Sequence, residues 1–179
     1  MSDSPVYSHP LLVARVPEEG ASFHLAPDAG ERERLARAMG IVALPALAAD
    51  ISVTPDGRGG VDVGGRVRGT VRQNCVVTLE PFDAPLDEAI DMHFVPEGRI
   101  PEIRPGAEIE VGDEDIPDMI ENGAIDLGAI LTEFLALGID PYPRKPGVVF
   151  EPPAEGSPEE ISPFGALAKL RKPGPTGGE

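Results

Sequence analysis

The chain has 179 residues, 41% of them hydrophobic, and a formal net charge of −16; that length suits one domain burying roughly 70% of its unfolded surface, with no need of disulfide or metal to fold. Its one cysteine, Cys75, excludes an intramolecular disulfide and any metal site built on two thiolates of one chain, and points to a reducing compartment. The acidity repels phosphate backbones at long range, and six Phe, two Tyr and no Trp leave little material for base-stacking platforms.

The first sixteen residues carry no basic leader and no long apolar run, and no stretch reaches the ~18 apolar residues of a membrane span. The sequence therefore predicts a cytoplasmic protein with no membrane partner. Residues 11–16 read as a short strand and 22–25 as another, with Phe23 and Leu25 inward around His24. Asp28 and Glu31 have the spacing of a capping box, so a helix is expected over 29–39, closed by Gly40. Leu47, Ala49, Ile51 and Val53 alternate with Ala48, Asp50, Ser52 and Thr54, the period of a half-buried strand.

After a Gly-rich turn at 55–60, a second strand places Val61, Val63, Val67 and Val71 on one face and is expected to continue through Cys75, Val77 and Leu79. Gly64, Gly65 and Gly69 are places for it to bend. The chain turns near Glu80, and Ile90, Met92 and Phe94 define a third strand, giving an antiparallel meander with one wet face. Residues 97–122 form a long loop with nine acids opposed only by Arg99 and Arg104. Asp126 then caps a helix bearing Leu127, Ile130, Leu131, Phe134, Leu135 and Leu137. Residues 151–162 read as a polar linker, 163–170 as a short amphipathic helix, and the last seven residues as a disordered tail. The domain boundaries are thus 1–150 for one α+β domain and 151–179 for the appended segment.

No nucleotide loop, nucleophile elbow or zinc-protease signature is present. Arg66, Arg68 and Arg72 share the wet face of the second meander strand. They suit RNA phosphates, or pair with cross-strand acids such as Asp50 or Asp91; charge pairs of that kind are ordinary and are favoured. Arg144 and Lys145, between prolines, are either a presented basic peptide or the solvated part of a docked strap with Tyr142 on the core. Cys75 shares the valine parity and reads as a small buried residue. His9, His24 and His93 lack partners at motif spacing and are given surface roles. Glu133, within an apolar helix, is expected to pair with Arg144 or the Tyr142 hydroxyl rather than act in acid–base chemistry.

Four stretches carry a resemblance: residues 73–82 with Cys75, Leu79, Glu80 and Pro81; residues 125–128 with Asp126 and Leu127, followed by Glu133 and Leu137; residues 140–147 with Pro141, Tyr142 and Pro143; and residues 162–170 with Phe164 and Leu170. In this order and spacing they resemble the YceD family, the large ribosomal RNA subunit accumulation proteins. The resemblance implies a bacterial factor linked to large-subunit rRNA, with no catalytic residues. Many members carry Cys-x-x-Cys where this chain has Cys75 and Thr78, so zinc binding does not carry over.

The expected fold is α+β: an antiparallel β-meander sheet, open or partly closed into a barrel, covered by two main helices and carrying a long acidic loop. The expected function is non-enzymatic support of synthesis, processing or accumulation of large-subunit (23S) rRNA. Expected partners are rRNA or a ribosomal or RNA-processing protein, with no cofactor, metal, small-molecule substrate or catalytic residue. Two other readings are an adaptor unrelated to the ribosome that docks through the acidic loop, and, weakest, a metal-dependent hydrolase built on the loop's acids.

Overall fold

The computed structural model describes residues 5–99 and 117–150. The compact unit is Met1–Pro146; residues 147–150, the described part of the second unit, form neither helix nor strand. The expected linker, helix and tail at 151–179, and residues 100–116 of the acidic loop, lie outside the described residues.

Hydrophobic alternation organises the sheet. β3 (Ala43–Pro55) buries Leu47, Ala49, Ile51 and Val53 while Asp50, Ser52 and Thr54 stay exposed. It turns at Asp56, whose carboxylate accepts the Arg58 and Gly60 N–H groups at 2.6 and 2.8 Å. β4 (Val61–Asn74) then runs antiparallel, burying Val61, Val63, Val67 and Val71, and β5 (Pro81–Pro96) pairs with it along its whole length. β2 (Ala21–Leu25) joins the far side of β3. The acidic stretch is not wholly loop: Asp118–Ile120 forms β6, parallel to Phe94–Pro96 at the end of β5. The order β2-β3-β4-β5-β6 makes a five-stranded, mostly antiparallel sheet that stays open.

Of the three candidate bends, Gly65 and Gly69 are set by close backbone approach. A Cβ at Gly65 would collide with the Asp50 carbonyl oxygen, so only glycine lets β3 and β4 close together there.

The segment at 11–16 differs from expectation. A strand of three residues, β1 (Pro10–Leu12), pairs with β7 (Ala124–Asp126) in a separate ladder and gives way to a 3-10 turn at Val13–Arg15. The ladder ends where its short partner ends.

Both helices cover the sheet's apolar face. α1 (Ala29–Ala38) packs on β3 through Leu35 and Ala36. Its capping box is complete: Glu31 N–H donates to Asp28 Oδ1 at 2.8 Å and Asp28 N–H to Glu31 Oε2 at 2.7 Å. α2 (Leu127–Gly138) packs on β5 and buries Leu127, Ile130, Leu131 and Leu135. Its cap Asp126 accepts the Gly128 and Ala129 N–H groups as well as the Ser8 hydroxyl and the His9 N–H, tying the N-terminal segment to the helix start. Leu137, expected on the core face, is 67% exposed, because it lies roughly 200° around the helix from Leu135.

Candidate functional site

The wet face of β4 holds the predicted arginine row, and the ladder decides its partners. Arg68 lies opposite Asp87, and Arg72 opposite Asp83. Arg72 grips Asp83 with two hydrogen bonds, Nε to Oδ1 at 2.6 Å and Nη2 to Oδ2 at 2.9 Å. The hydrogen bond and charge of Asp83 raise the pKa of the guanidinium, and the same bond holds the Asp83 carboxyl below its usual range. Arg66 donates to Asp87, and Arg68 bridges Asp87 and Asp50 at 3.6 and 3.7 Å. The favoured reading of cross-strand pairing thus describes the face, with one correction. Asp91 is not a partner, because it lies opposite Gly64.

His24 and His93, given surface roles, are substantially exposed and have carboxylate companions across the strands. His24 Nδ1 is 2.7 Å from Asp50 Oδ1, and His93 Nδ1 is 2.7 Å from Asp62 Oδ1. His9 meets Phe23 edge-on, their ring centres 6.5 Å apart. Among the described residues, the face therefore offers Asp50, Asp62, Asp83, Asp87 and Asp91 against three arginines. It is a charge lattice with a carboxylate surplus, not a cationic patch.

The second region is the corner where β4 ends. The strand stops at Asn74 rather than running on to Leu79. Cys75 N–H still donates to the Glu80 carbonyl at 2.9 Å, but Leu79 N–H folds back to the Cys75 carbonyl at 2.8 Å. Residues 75–80 thereby form a tight turn with Leu79 left-handed, φ 61°, and 78% exposed. This explains the failed parity: Cys75 remains buried, whereas Leu79 is thrown outward.

The strap after α2 crosses this turn. Gln73 Nε2 donates to the Asp140 carbonyl at 2.8 Å, and Val76 N–H to the Pro143 carbonyl at 2.9 Å. Lys145 N–H points at Cys75 Sγ at 3.4 Å, and its ammonium pairs with Glu80 at 3.0 Å. The Lys145 N–H foremost, then that of Thr78, pulls the Cys75 thiol down to about 7 against the opposing effect of burial. The strap docks through Pro143, which is buried, and not through Tyr142, which is 74% exposed. Arg144 is exposed.

The structure thus brings Cys75 and Glu80 together with Lys145, and Val76 with Pro143, while Leu79 and Tyr142 of the same segments stand exposed. It leaves Asp126 and Leu127 at the opposite end of α2. Glu133 is exposed on α2 and, among the described residues, pairs with neither Arg144 nor Tyr142, since the strap runs to the 75–80 turn instead. Among the described residues, no three His, Cys, Asp or Glu side chains converge as metal ligands. Sequence reasoning missed Asp83 and Asp87 as arginine partners and Gln73 as the strap's tie. Taking the pivot of the β4–β5 turn at Cys75 and Glu80 would have fixed the register and exposed the first two.

The profile of one family, described as "Large ribosomal RNA subunit accumulation protein YceD", matches residues 63–171. No curated protein and no solved structure matches the chain. The match spans β4, β5, α2 and the strap that crosses the 75–80 turn, more than half of the sequence, and the chain belongs to the YceD family of large ribosomal RNA subunit accumulation proteins.

Proposed function

We propose that this chain is a non-enzymatic, cytoplasmic factor in ribosome biogenesis that supports synthesis, processing or accumulation of large-subunit (23S) rRNA through a protein partner. Family membership over residues 63–171 carries the reading. A binding role is supported by how the reactive groups are disposed. The Cys75 thiol is buried and engaged by N–H groups, and Glu133 stands exposed with no acid–base companion among the described residues. A protein-bridged role is favoured over direct RNA contact by the charge lattice. The arginines are already matched by Asp87, Asp50 and Asp83, and the surplus carboxylates on the same face oppose an approaching phosphate.

The test is deletion of the gene, with 23S and 16S rRNA and free subunits measured on gradients. A lowered 23S to 16S ratio with depleted large subunits is expected, and unchanged profiles overturn the proposal. Complementation with an Arg66→Glu, Arg68→Glu double variant should restore the ratio if the arginines only pair within the sheet. Failure to restore it, with the protein folded, would mean that the arginines contact a partner as well as the sheet's own carboxylates.

A further inference from the structure

The β4–β5 ladder fixes which main-chain groups of β5 point outward. Cys75 N–H donates to the Glu80 carbonyl at 2.9 Å. In an antiparallel pair, hydrogen-bonded and non-hydrogen-bonded pairs alternate. The even-numbered residues of β5 therefore face β4, and Asp83, Pro85, Asp87, Ala89 and Asp91 turn N–H and C=O to the other side. That polarity explains how Pro85 is tolerated within a sixteen-residue strand, since its missing N–H would have pointed away from the ladder. On that outer side, β6 pairs only with Phe94–Pro96. Among the described residues, no strand pairs with the β5 edge over 81–93 and no hydrogen bond uses the main chain of Asp87, Ala89 or Asp91. Where α2 ends, Gly138 packs against the side chains of Leu86 and Glu88, the even-numbered set.

The first half of the edge is guarded by Pro81 and Pro85, the usual protection against unwanted pairing. The second half, from Asp87 to Asp91, has no proline. Its side chains choose the partner. Asp87, Ala89 and Asp91 are exposed, and Asp91 has no ion-pair partner among the described residues. A second copy of the chain is a poor occupant: antiparallel pairing centred on Ala89 would set Asp87 opposite Asp91 in both directions, like charge on like. We infer that the β5 edge at Asp87–Asp91 accepts an extended, lysine- or arginine-bearing segment of a partner protein as an added strand, in line with β6. Main-chain hydrogen bonds give the docking, and Asp91 selects a cationic side chain beside it, Asp87 being already engaged by Arg66 and Arg68. The inference does not depend on the ribosomal reading.

The test uses the full chain and a labelled octapeptide alternating lysine with valine or threonine. Two control peptides replace every lysine by glutamate or alternate residues by proline, and a single-stranded RNA oligonucleotide is the third control. Binding is followed by fluorescence anisotropy, and amide hydrogen exchange locates it. The lysine peptide should bind and slow exchange at the Asp87, Ala89 and Asp91 amides, while the glutamate and proline peptides bind at least roughly tenfold more weakly. Ala89→Pro, which removes one outward N–H from an edge strand, should weaken the lysine peptide by about five- to tenfold. Asp91→Lys, at an exposed side chain facing glycine, should weaken it without disturbing the fold and keeps the test decisive if the proline variant misfolds. The inference is overturned if the lysine peptide does not bind, if the proline peptide binds equally, if exchange slows only elsewhere, or if the RNA oligonucleotide protects these amides instead.

Discussion

Gln73 is the most informative single position for the strap, being the one buried polar side chain among the described residues. Its Nε2 donates to the Asp140 carbonyl at 2.8 Å, joining the end of β4 to the chain leaving α2. Gln73→Met keeps length and flexibility while removing the donor. A typical net hydrogen bond contributes about 0.5–1.5 kcal/mol. Asp140 is exposed, so its freed carbonyl reaches water and adds little desolvation cost. The expected loss is therefore about 1 kcal/mol, or roughly 2–4 °C in Tm for a chain of this size. Hydrogen exchange should show where it acts. Val76 N–H, bound to Pro143, and Lys145 N–H, bound to Cys75, should exchange about fivefold faster. Amides that open locally in α1, breaking none of these bonds, should keep their rates. If Tm falls but the Val76 and Lys145 rates do not change, Gln73 contributes packing alone, and the tie between strap and turn is refuted.

The Cys75 thiol adds a pH dependence to the same corner. Its pKa is lowered to about 7, so between that value and its ordinary one near 9 the folded protein has released a proton that the unfolded chain keeps. Its contribution is therefore present at pH 9 and lost as the pH falls through 7, and the Tm difference between the wild type and Cys75→Ala should shrink from pH 9 to pH 6. At Asp126, partial burial raises the carboxyl pKa, but the bonds from Ser8, His9, Ala129 and Gly128 outweigh it and the net value is lowered. Asp126→Ala should cost about 1–2 kcal/mol in denaturant titrations, and the wild type should lose this contribution as acidification passes through the lowered pKa. Leu79→Gly removes a left-handed leucine that is 78% exposed. Relief of about 1–2 kcal/mol in the folded state is offset by about 0.5–1 kcal/mol of added chain entropy in the unfolded state. The variant should be as stable as the wild type or slightly more so, and a loss above about 1 kcal/mol would mean that Leu79 has a packing partner.

The meander, the α1 capping box and the α2 cap were legible because each is written locally. Alternating valines, Asp28 with Glu31, and Asp126 before an apolar run need no knowledge of distant chain. The corner was not legible for the opposite reason. Parity carried the β4 strand on through Leu79, since nothing in a Val-Val-Thr-Leu run announces a left-handed residue. The bond that ends the strand's course, Leu79 N–H to the Cys75 carbonyl, joins main-chain groups and leaves no mark in the side-chain pattern. Glu133 and Tyr142 failed together. Their pairing assumed that the strap returns along α2, whereas hydrogen bonds at Gln73, Val76 and Lys145 carry it across the turn. The arginine partners were half legible: cross-strand acids were expected, but selecting Asp83 and Asp87 over Asp91 required the register.

The pairing on the wet face also bears on what the arginines can discriminate. Each pair is about half exposed or more, so breaking one costs little, and the same arginines are cheaply traded from an internal carboxylate to an external one or to a phosphate. Arginine substitution alone therefore separates RNA from an acidic protein surface poorly. The carboxylates separate them better. A ligand that gains from Asp91, unpaired among the described residues, must be cationic, whereas an RNA strand gains from its removal. Asp91→Lys should thus weaken a basic protein segment and strengthen an oligonucleotide, opposite signs from one exposed side chain. Measuring both ligands against that variant at two salt concentrations distinguishes the two kinds of partner, and a change of the same sign for both would mean that this face selects neither.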